Sequence, residues 1–235
     1  MTRILIIGHG RMGQLVERHA AEHRCQVAGV IRRGDLISAA AHADVAIDFS
    51  TAEAVASNLV ACADAGINVV IGTTGWQARE AELRRLAATY QMGVLASANF
   101  AVGLHIFRIA VARAAAQFAA QPSYDAWIND VHHVHKKDAP SGTALLLKDT
   151  MTRAGYARDI AVTSERVGEV PGTHTVGFDG PADTVTFTHT VRDRAVFAHG
   201  ALDAARWLHG RRGWFSMDDL LEARSSWHSA IRGPE

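Results

Sequence analysis

Residues 3–13 read Arg-Ile-Leu-Ile-Ile-Gly-His-Gly-Arg-Met-Gly, an apolar run that passes directly into a glycine-rich turn. The run at 3–7 is typical of a buried strand, and a helical pattern follows at 12–23. The same alternation of short apolar runs and Ala-rich helical patterns continues, with further predicted strands at 26–31, 45–49, 68–71 and 93–96. Strands that are apolar on both faces and are separated by helices indicate a doubly wound parallel sheet of the α/β class.

The pattern changes after Phe100. The elements predicted for this part are helices at 103–119, 143–153, 196–208 and 217–223, and strands at 126–131, 173–178 and 183–191. The last two strands alternate polar and apolar side chains around a Gly180-Pro181 turn. Such alternation with short connections predicts a second, α+β domain with a mostly antiparallel sheet, one face of which is solvated or covered by a partner.

The composition excludes several classes of protein. Lys plus Arg and Asp plus Glu each number 24, so the formal net charge is zero, whereas a general nucleic-acid binder needs a basic excess. No apolar run approaches the roughly 20 residues of a membrane span, and the N-terminus lacks the layout of a signal peptide. The two cysteines, Cys25 and Cys62, are too few for a disulfide framework, so we expect them reduced and buried in a cytoplasmic protein.

Gly8-His9-Gly10-Arg11-Met12-Gly13 fits the pattern G-x-G-x-x-G between a predicted strand and a predicted helix. In that context the first glycine permits a tight turn, the second lets a pyrophosphate approach the backbone, and the third lets the helix pack against the sheet. The N–H groups at the helix N-terminus can then bind the anion. The motif predicts a Rossmann-like dinucleotide-binding domain, and a turn that serves packing alone is the alternative.

The end of the second strand bears on which dinucleotide is bound. Proteins that bind NAD usually carry Asp or Glu there, which accepts a hydrogen bond from the ribose 2′-hydroxyl. This chain has Arg32 and Arg33, whose guanidinium groups suit a 2′-phosphate by charge and by bidentate geometry. We therefore expect NADPH as the cofactor, with NADH as the alternative if Asp35 binds the ribose instead.

Two further segments follow predicted strands at the edge where open α/β sheets bind ligands. Gly72-Thr73-Thr74-Gly75 follows the fourth strand, and Ser97-Ala98-Asn99-Phe100 follows the fifth. Small residues there let a nicotinamide ring lie close to the backbone, whose polar groups can bind its carboxamide. Taken singly, each segment is more often just a polar turn.

The densest group of titratable side chains lies at 130–144, which reads Asp-Val-His-His-Val-His-Lys-Lys-Asp-Ala-Pro-Ser-Gly-Thr-Ala. Ser141-Gly142-Thr143 is typical of a helix start, with Ser141 or Thr143 as the N-cap. A helix N-terminus beside Lys136, Lys137 and the histidines predicts a site for a small substrate that carries carboxylates.

Two alternatives compete for the same segment. His133-x-His135 is similar to the paired ligands of metal hydrolases. Neighbouring lysines repel a cation, however, and neither Cys nor a helical His-x-x-x-His supplies further ligands, so we expect no metal. A surface cluster of histidines without a function is the second alternative.

The string His132-His133-x-x-Lys136-x-Asp138-Ala139-Pro140-Ser141-Gly142-Thr143-Ala144 resembles the signature of the 4-hydroxy-tetrahydrodipicolinate (dihydrodipicolinate) reductase family of bacterial lysine biosynthesis. The resemblance covers nearly the whole chain, because shorter pieces occur in the family's order. These pieces are Gly10-Arg11-Met12-Gly13, Asp48-Phe49-Ser50, Gly72-Thr73-Thr74-Gly75, Asn99-Phe100, Gly172-x-His174, Phe197-Ala198-His199-Gly200-Ala201 and Ala205-x-Trp207-Leu208.

The resemblance implies NAD(P)H-dependent reduction of 4-hydroxy-tetrahydrodipicolinate to tetrahydrodipicolinate in the diaminopimelate route to lysine. It implies a cytoplasmic homotetramer with a dinucleotide-binding domain at 1–101, completed by C-terminal helices at 199–235. The domain at 102–198 would serve substrate binding and oligomerisation.

The resemblance also assigns roles by motif position. His132 takes the acid/base role and Lys136 the proton-donor role, while His133, Ser141, Gly142 and Thr143 bind the dicarboxylate substrate. The residues expected to line the cofactor are Gly8, His9, Gly10, Arg11, Met12, Gly13, Arg32, Arg33, Gly72, Thr73, Thr74, Ser97, Ala98, Asn99 and Phe100.

The sequence departs from the family's pattern at a few positions. Asp130 stands where Glu is usual, Ala101 stands where Ser often follows Asn-Phe, and the glycine loop is one residue shorter than in many members. These differences bear on cofactor preference and substrate affinity rather than on the fold.

Other functions fit the same residues. Another NAD(P)-dependent dehydrogenase of small amino or hydroxy acids would share the two-domain layout, and a non-catalytic NADPH sensor would share the binding fold. For the implied reduction, hydride addition to a ring conjugated with an imine leaves an intermediate that must be protonated. A histidine whose pKa lies near the working pH suits that step.

Overall fold

The computed structural model describes residues 1–37 and 42–231, with side chains described as far as residue 224. The chain divides into two compact units, one formed by Met1–Ala101 with Ala195–Glu235 and the other by Val102–Arg194. The sequence predicts the return to the first unit at residue 199. The division instead falls at Ala195, because the helix that begins the return is continuous from that residue. The functional roles of the two units stay a prediction.

Ten strands and seven α-helices occur in the described part of the chain. The strands are β1 (Thr2–Ile7), β2 (Cys25–Ile31), β3 (Val45–Asp48), β4 (Asn68–Ile71), β5 (Gly93–Ala96), β6 (Asp125–His132), β7 (Ile160–Arg166), β8 (Thr173–Asp179), β9 (Thr184–Thr190) and β10 (Gly213–Phe215). The helices are α1 (Arg11–His19), α2 (Val55–Asp64), α3 (Glu80–Thr89), α4 (Val102–Ala119), α5 (Gly142–Arg153), α6 (Ala195–Leu208) and α7 (Met217–Ile231). None of these helices is long and apolar enough to cross a membrane.

A six-stranded sheet lies at the centre of the first unit, in the order β10-β5-β4-β3-β1-β2. Every pair of neighbouring strands in it is parallel. All four residues of β3 are buried, because a central strand of a parallel sheet is covered on both faces. The prediction of a doubly wound α/β sheet is confirmed, with β10 as an edge strand that the sequence analysis did not predict.

The C-terminal part of the chain completes this unit. α6 packs against α1 and β3, and β10 pairs with β5. The Asn68 side chain accepts a hydrogen bond from the N–H of Gly93 at 2.7 Å and donates to the carbonyl oxygens of Leu208 and Arg211 at 3.1 and 3.0 Å. One side chain therefore joins β4, β5 and the segment that follows α6.

A four-stranded sheet forms the second unit, in the order β7-β6-β8-β9. β6 is parallel to β7, whereas β8 is antiparallel to both β6 and β9, so the predicted mostly antiparallel sheet is confirmed. β6 buries every second residue from Ala126 to His132. The apolar side chains on that face pack with α4 and α5 into a core that includes Ile128 and Phe178.

The opposite face of this sheet carries exposed or half-buried threonines. Thr173 pairs with Thr190 across β8 and β9 at 3.3 Å between hydroxyl oxygens, and Thr175 pairs with Thr188 at 3.1 Å. The two faces of the sheet thus differ sharply in polarity, as the alternation in the sequence predicts.

Candidate active site

The glycine loop connects β1 to α1 at the carboxyl edge of the parallel sheet. Gly8 has φ +88°, and a Cβ there would lie 2.5 Å from the carbonyl oxygen of Phe49. A Cβ on Gly13 would collide with the carbonyl oxygen of Gly8. Gly10 has open space instead, with no atom within 4 Å of where its Cβ would be. Packing therefore requires the first and third glycines, while the second leaves the backbone open to a ligand.

A cleft of about 600 Å³ lies beside this loop, at the ends of β1, β2 and β3. Its lining includes Gly8, His9, Gly10, Arg32 and Arg33. Arg11, Met12 and Gly13 form the first turn of α1, which contains no acidic residue to repel an anion. The open glycine, the free helix N-terminus and the two exposed arginines fit the phosphates of a dinucleotide.

Asp35 lies in the same cleft, where it was the candidate partner for a ribose hydroxyl. Its carboxylate Oδ2 accepts a hydrogen bond from the backbone N–H of Arg32 at 2.7 Å. The Arg32 guanidinium Nη2 in turn lies 3.5 Å from His9 Nδ1. Because Asp35 closes the local turn, the arginines are the side chains best placed to bind a group at the end of β2.

The segments after β4 and β5 lie along the same sheet edge, but their side chains are largely committed to local packing. Thr73 is buried and its hydroxyl donates to the Asp48 carboxylate at 3.0 Å. A Cβ on Gly72 would overlap the ring of Phe49. Thr74 is exposed. These residues shape the sheet edge, and their contact with a cofactor stays a prediction.

Residues 97–101 form a compact turn. The Ser97 hydroxyl donates to the carbonyl oxygen of Asn99 at 2.6 Å, and the Asn99 side chain accepts from the N–H of Ala101 at 2.8 Å. Phe100 is buried with its ring 6.2 Å from that of Phe49. Ser97 and Ala98 line a second cleft, of about 440 Å³, together with Trp76 and Trp214. Ser97 and Ala98 do not line the cleft at the glycine loop.

In the second unit, the inward face of β6 carries two polar residues in succession. Ala126 and Ile128 are apolar, and Asp130 and His132 follow on the same face. Asp130 is completely buried and His132 is only 8% exposed. A buried carboxylate is costly unless its oxygens accept hydrogen bonds, so its partners explain how the site is held together.

The two oxygens of Asp130 have different partners. Oδ1 lies 2.8 Å from His132 Nδ1 and 3.3 Å from His174 Nε2. Oδ2 accepts from the backbone N–H of Ser141 at 2.9 Å, from the Ser164 hydroxyl at 3.2 Å and from Arg166 Nη2 at 3.2 Å. One carboxylate thus joins three strands and the start of α5.

The pKa values follow from this environment. Burial raises the pKa of Asp130, but the hydrogen bonds from Ser141, together with the positive charge that His132 and His174 carry when protonated, outweigh it and leave that pKa below its ordinary value. Burial lowers the pKa of His132 despite Asp130, and the charges of Lys136 and Arg166 act in the same direction. Burial also lowers the pKa of His174, to about 4. Both histidines are therefore neutral near pH 7, while Asp130 is ionised.

The loop after β6 carries Lys136. Its ammonium lies 2.8 Å from Oδ1 of Asp138, and this bond lowers the pKa of the Asp138 carboxyl. Arg166 donates to the backbone carbonyl of Asp138, which ties the loop to β7. His133 is half-buried, with Nε2 3.4 Å from Arg194 Nη2. The loop therefore presents cationic groups next to the buried Asp130–His132 pair.

Ser141 is the N-cap of α5, as predicted. Its hydroxyl accepts from the N–H of Ala144 at 3.2 Å and lies 3.2 Å from His174 Nε2. Ser141 is thereby committed to the network around Asp130, so its role as a substrate ligand stays a prediction. Gly142 and Thr143 follow in the first helical turn, and no atom lies within 4 Å of where a Gly142 Cβ would be. The Gly142 N–H also donates to the Asp138 carboxylate and helps to lower its pKa, so one N–H of this helix start is already engaged within the chain.

A metal ion is the alternative occupant of this cluster. Ligand atoms of Asp130, His132 and His174 lie within 4.8 Å of one another. The Arg166 guanidinium, however, already donates to the same carboxylate, and Lys136 is close enough to lower the pKa of His132. These positive charges disfavour a cation at the site.

Sequence reasoning missed several members of the site. Arg166 and Ser164 lie on β7, a strand that the sequence analysis did not predict. Gly172 approaches His132 so closely that a Cβ there would lie 3.0 Å from Nε2. The resemblance included Gly172-x-His174 but gave these residues no role, and only strand register brings His174 opposite Asp130.

Comparison with known proteins covers both units. The family model described as "Dihydrodipicolinate reductase, N-terminus" matches residues 2–100, and "Dihydrodipicolinate reductase, C-terminus" matches residues 103–221. The 4-hydroxy-tetrahydrodipicolinate reductase of Christiangramia forsetii is 33% identical over 233 residues, which cover 93% of this chain and 97% of that protein. The enzyme of the same name from Xanthomonas euvesicatoria is 38% identical over 240 residues, covering 94% of this chain and 98% of that protein.

Among solved structures, a dipicolinate-bound dihydrodipicolinate reductase from Paenisporosarcina sp. TG-14 has the same fold. It superposes with a TM-score of 0.79 at 22% identity, covering 92% of this chain and 97% of that one. The resemblance drawn from the sequence is confirmed by these matches, which extend over nearly the full length. The chain belongs to the dihydrodipicolinate reductase family.

Proposed function

We propose that this chain reduces 4-hydroxy-tetrahydrodipicolinate to tetrahydrodipicolinate with NADPH, in the diaminopimelate route to lysine. Family membership makes it an NAD(P)H-dependent oxidoreductase. The observation that carries the assignment to this site is the buried His132, held at Nδ1 by Asp130 within the family's signature string.

The first unit binds the cofactor in this proposal. The backbone of Gly8–Gly10 and the N-terminus of α1 take the pyrophosphate, and Arg32 and Arg33 take the 2′-phosphate. The bound nicotinamide supplies the hydride. Asp35 accepts a hydrogen bond from the Arg32 backbone through one oxygen, whereas the guanidinium groups of Arg32 and Arg33 supply the charge that a phosphate requires. NADPH is therefore the preferred cofactor, with NADH as the weaker one.

The second unit binds the substrate. The substrate is a small ring with two carboxylates, and it would be bound by the start of α5 at Gly142 and Thr143, by the Lys136 ammonium and by the His133 imidazole. Carboxylates bound there bring negative charge close to His132. A nearby anion favours the imidazolium, so substrate binding raises the pKa of His132 toward the working pH.

His132 and Lys136 then transfer the proton that the reduction requires. His132 keeps Nδ1 bonded to Asp130, so Nε2 is the nitrogen that takes up and releases a proton. His132 donates this proton to the reduced ring, and the Lys136 ammonium supplies its replacement. The net reaction takes up a hydride and a proton and releases the substrate's hydroxyl as water, so atoms and charge balance.

The direct test is NADPH consumption with substrate generated freshly from pyruvate and aspartate semialdehyde. We expect rapid loss of NADPH absorbance with this substrate and none with simple keto acids plus ammonia. Turnover of the keto acids alone would favour the competing dehydrogenase of small amino or hydroxy acids. Tight NADPH binding without turnover of any substrate would favour the non-catalytic sensor.

We propose that the chain assembles as a homotetramer through the threonine face of the second unit's sheet. The threonine hydroxyls on this face hydrogen-bond to one another across neighbouring strands, so their polar atoms have partners when the face is covered by another copy. Light scattering should give four times the chain mass of 25.3 kDa. Thr188→Arg should lower that mass, and an unchanged mass would place the interface elsewhere.

We also propose a cytoplasmic location. Cys25 and Cys62 are unpaired and buried, and burial raises their pKa values to about 11 and 12, which keeps both thiols protonated and unreactive. Thiol titration should find neither cysteine in the folded protein and both after unfolding. A disulfide in the freshly isolated protein would contradict this proposal.

A further inference from the structure

A completely buried carboxylate between two buried imidazoles is more than packing requires. Asp130 and the two histidines occupy positions that the alternation of β6 and β8 reserves for core side chains. Apolar residues at these positions would avoid the desolvation cost of buried polar groups. We therefore expect the cluster to have a function in the chemistry of His132.

We propose that Asp130 and His174 are positioning residues that hold His132 as the Nδ1–H tautomer and keep Nε2 as its reactive nitrogen. The inference rests on the proposed function, in which His132 transfers the proton. Neither residue is assigned contact with substrate or cofactor, because both act through His132.

The first step of the argument concerns the two oxygens of Asp130. Three donors converge on Oδ2, namely the Ser141 N–H, the Ser164 hydroxyl and the Arg166 guanidinium. These donors fix the orientation of the carboxylate and leave Oδ1 facing His132 Nδ1 at 2.8 Å. An ionised carboxylate can only accept, so the proton between Oδ1 and His132 belongs to Nδ1.

The second step concerns His174, which shares Oδ1. Its Nε2 lies 3.3 Å from Oδ1, and a bare nitrogen lone pair facing a carboxylate oxygen would be repulsive. Nε2 also lies 3.2 Å from the Ser141 hydroxyl oxygen, so a proton on Nε2 of the neutral imidazole faces both this oxygen and Oδ1. Its Nδ1 is buried without a hydrogen-bond partner among the described residues. His174 thus stabilises the carboxylate without adding a positive charge that would lower the pKa of His132 further.

The third step concerns access to His132 Nε2. Gly172 adjoins this nitrogen, and the Cβ of any other residue would lie 3.0 Å from it. The missing side chain at Gly172 leaves space beside Nε2, while Nδ1 is engaged on the opposite side of the ring. Of the two nitrogens, only Nε2 is then able to exchange a proton with a bound molecule.

The charges around His132 give the direction of the pH effect. Asp130 faces it from its own strand, Lys136 from the following loop, Arg166 from β7 and His174 from β8, with His189 of β9 beside His174. Asp138 pairs with Lys136. Loss of the Asp130 charge leaves mainly positive neighbours, so the pKa of His132 should fall.

Asp130→Asn is the decisive substitution, because the three donors around Oδ2 will hold the amide oxygen in that place. The amide NH2 then faces His132, which must accept at Nδ1 and carry its proton on Nε2. In the free protein, long-range ¹H–¹⁵N spectra of the imidazoles should report Nδ1–H for His132 in the unchanged chain and Nε2–H in Asp130→Asn. This readout needs neither substrate nor cofactor.

The kinetic consequence should follow the tautomer. We expect Asp130→Asn to lower kcat on the order of 100-fold and to move the limb of the pH profile that reports His132 to lower pH. Asp125→Asn is the matched control, since it makes the same exchange at the exposed start of β6; its tautomer and pH profile should not change. Asp130→Glu restores the carboxylate that is usual in the family and should recover part of the rate.

A second pair of variants tests His174. His174→Gln retains an N–H donor and should keep most of the activity, whereas His174→Leu removes the donor and should lower kcat about tenfold. If Asp130→Asn does not fold, the two His174 variants still test whether the buried cluster positions His132. An Nδ1–H tautomer and an unshifted pH profile in folded Asp130→Asn, or equal activities of the two His174 variants, would overturn the inference. An unchanged chain that fails to reduce the substrate would instead overturn the proposed function, and the tautomer measurement would still stand.

Discussion

The first unit forms its site from open backbone and exposed side chains, whereas the second unit forms its site from buried side chains. In the first unit the cleft is formed by open backbone at Gly8–Gly10 and by exposed arginines. In the second unit the site centres on the buried Asp130, with three donors on Oδ2 and two imidazole nitrogens within 3.3 Å of Oδ1. A polyanion is thus bound by accessible backbone and exposed cations, whereas a proton is held at one atom by a buried charge in a fixed orientation. Damage should therefore reduce affinity in the first unit and turnover or acid stability in the second.

The largest effect is expected at the second site. His132→Ala removes the group that transfers the proton, so kcat should fall on the order of 100- to 1000-fold while the Kd for NADPH is unchanged. Steady-state kinetics and fluorescence titration of NADPH measure the two quantities. His135→Ala is the control, because that side chain is 75% exposed and should leave kcat unaltered. Near-normal turnover by His132→Ala would contradict the idea that the second unit supplies the proton for turnover.

Acid should weaken the second unit before the first. Burial lowers the pKa of His174 from 6.5 to about 4 in the folded chain. Between these two pH values the unfolded chain therefore binds a proton at His174 that the folded chain does not. The stability that His174 contributes is complete above pH 6.5 and is lost as the pH falls toward 4, on the order of 3 kcal/mol. Amide exchange should therefore accelerate in β8 before β4 as the pH falls, and His174→Gln should flatten the difference. Simultaneous loss of protection in both units would contradict this prediction.

Substitutions at two glycines of the loop should affect cofactor affinity and folding stability separately. Gly10→Ala places a methyl group in open space, so the fold should survive while the Kd for NADPH rises on the order of tenfold, or about 1.4 kcal/mol. Gly8→Ala brings its Cβ to 2.5 Å from a carbonyl oxygen at φ +88°, and its melting temperature should fall. Calorimetry and NADPH titration distinguish the two variants. Normal NADPH binding by Gly10→Ala would mean that the phosphates lie elsewhere.

The smallest expected effect concerns cofactor choice. Replacing both Arg32 and Arg33 with Ala should lower the ratio of kcat/KM for NADPH to that for NADH by about tenfold, because only the 2′-phosphate loses its charged partners. Arg18→Ala, at the far end of α1, serves as the control and should not change the ratio. If the double variant keeps the same ratio of kcat/KM for NADPH to that for NADH, the two arginines do not determine a preference for NADPH.

The parts of the molecule that sequence reasoning reached are those encoded by contiguous residues. The strands of the parallel sheet are continuous apolar runs, and the string from His132 to Ala144 contains the loop, the N-cap and the helix start in one piece. β10 has only three residues, too few to establish a period. The predicted strands of the parallel sheet are therefore continuous apolar runs, whereas β7, which ends in Thr-Ser-Glu-Arg, has seven residues and was still missed.

The residues that sequence reasoning missed are joined to the site by strand register. Ser164 and His174 lie opposite Asp130 on either side of β6, one in a parallel and the other in an antiparallel pairing. No local pattern in β7 marks Ser164 or Arg166 as partners of a residue on another strand. Asp130 itself stood out in the sequence only as a departure from the family's usual Glu, although it is the centre of the network.

The link that Asn68 makes with Leu208 and Arg211 has a consequence for biogenesis. The first unit needs residues from both ends of the chain, whereas Val102–Arg194 is contiguous. During synthesis the middle unit can finish folding while the opening sheet still lacks its last strand and helix. The sheet of the first unit therefore reaches its full set of strands only after β10 has been synthesised, more than a hundred residues after β5.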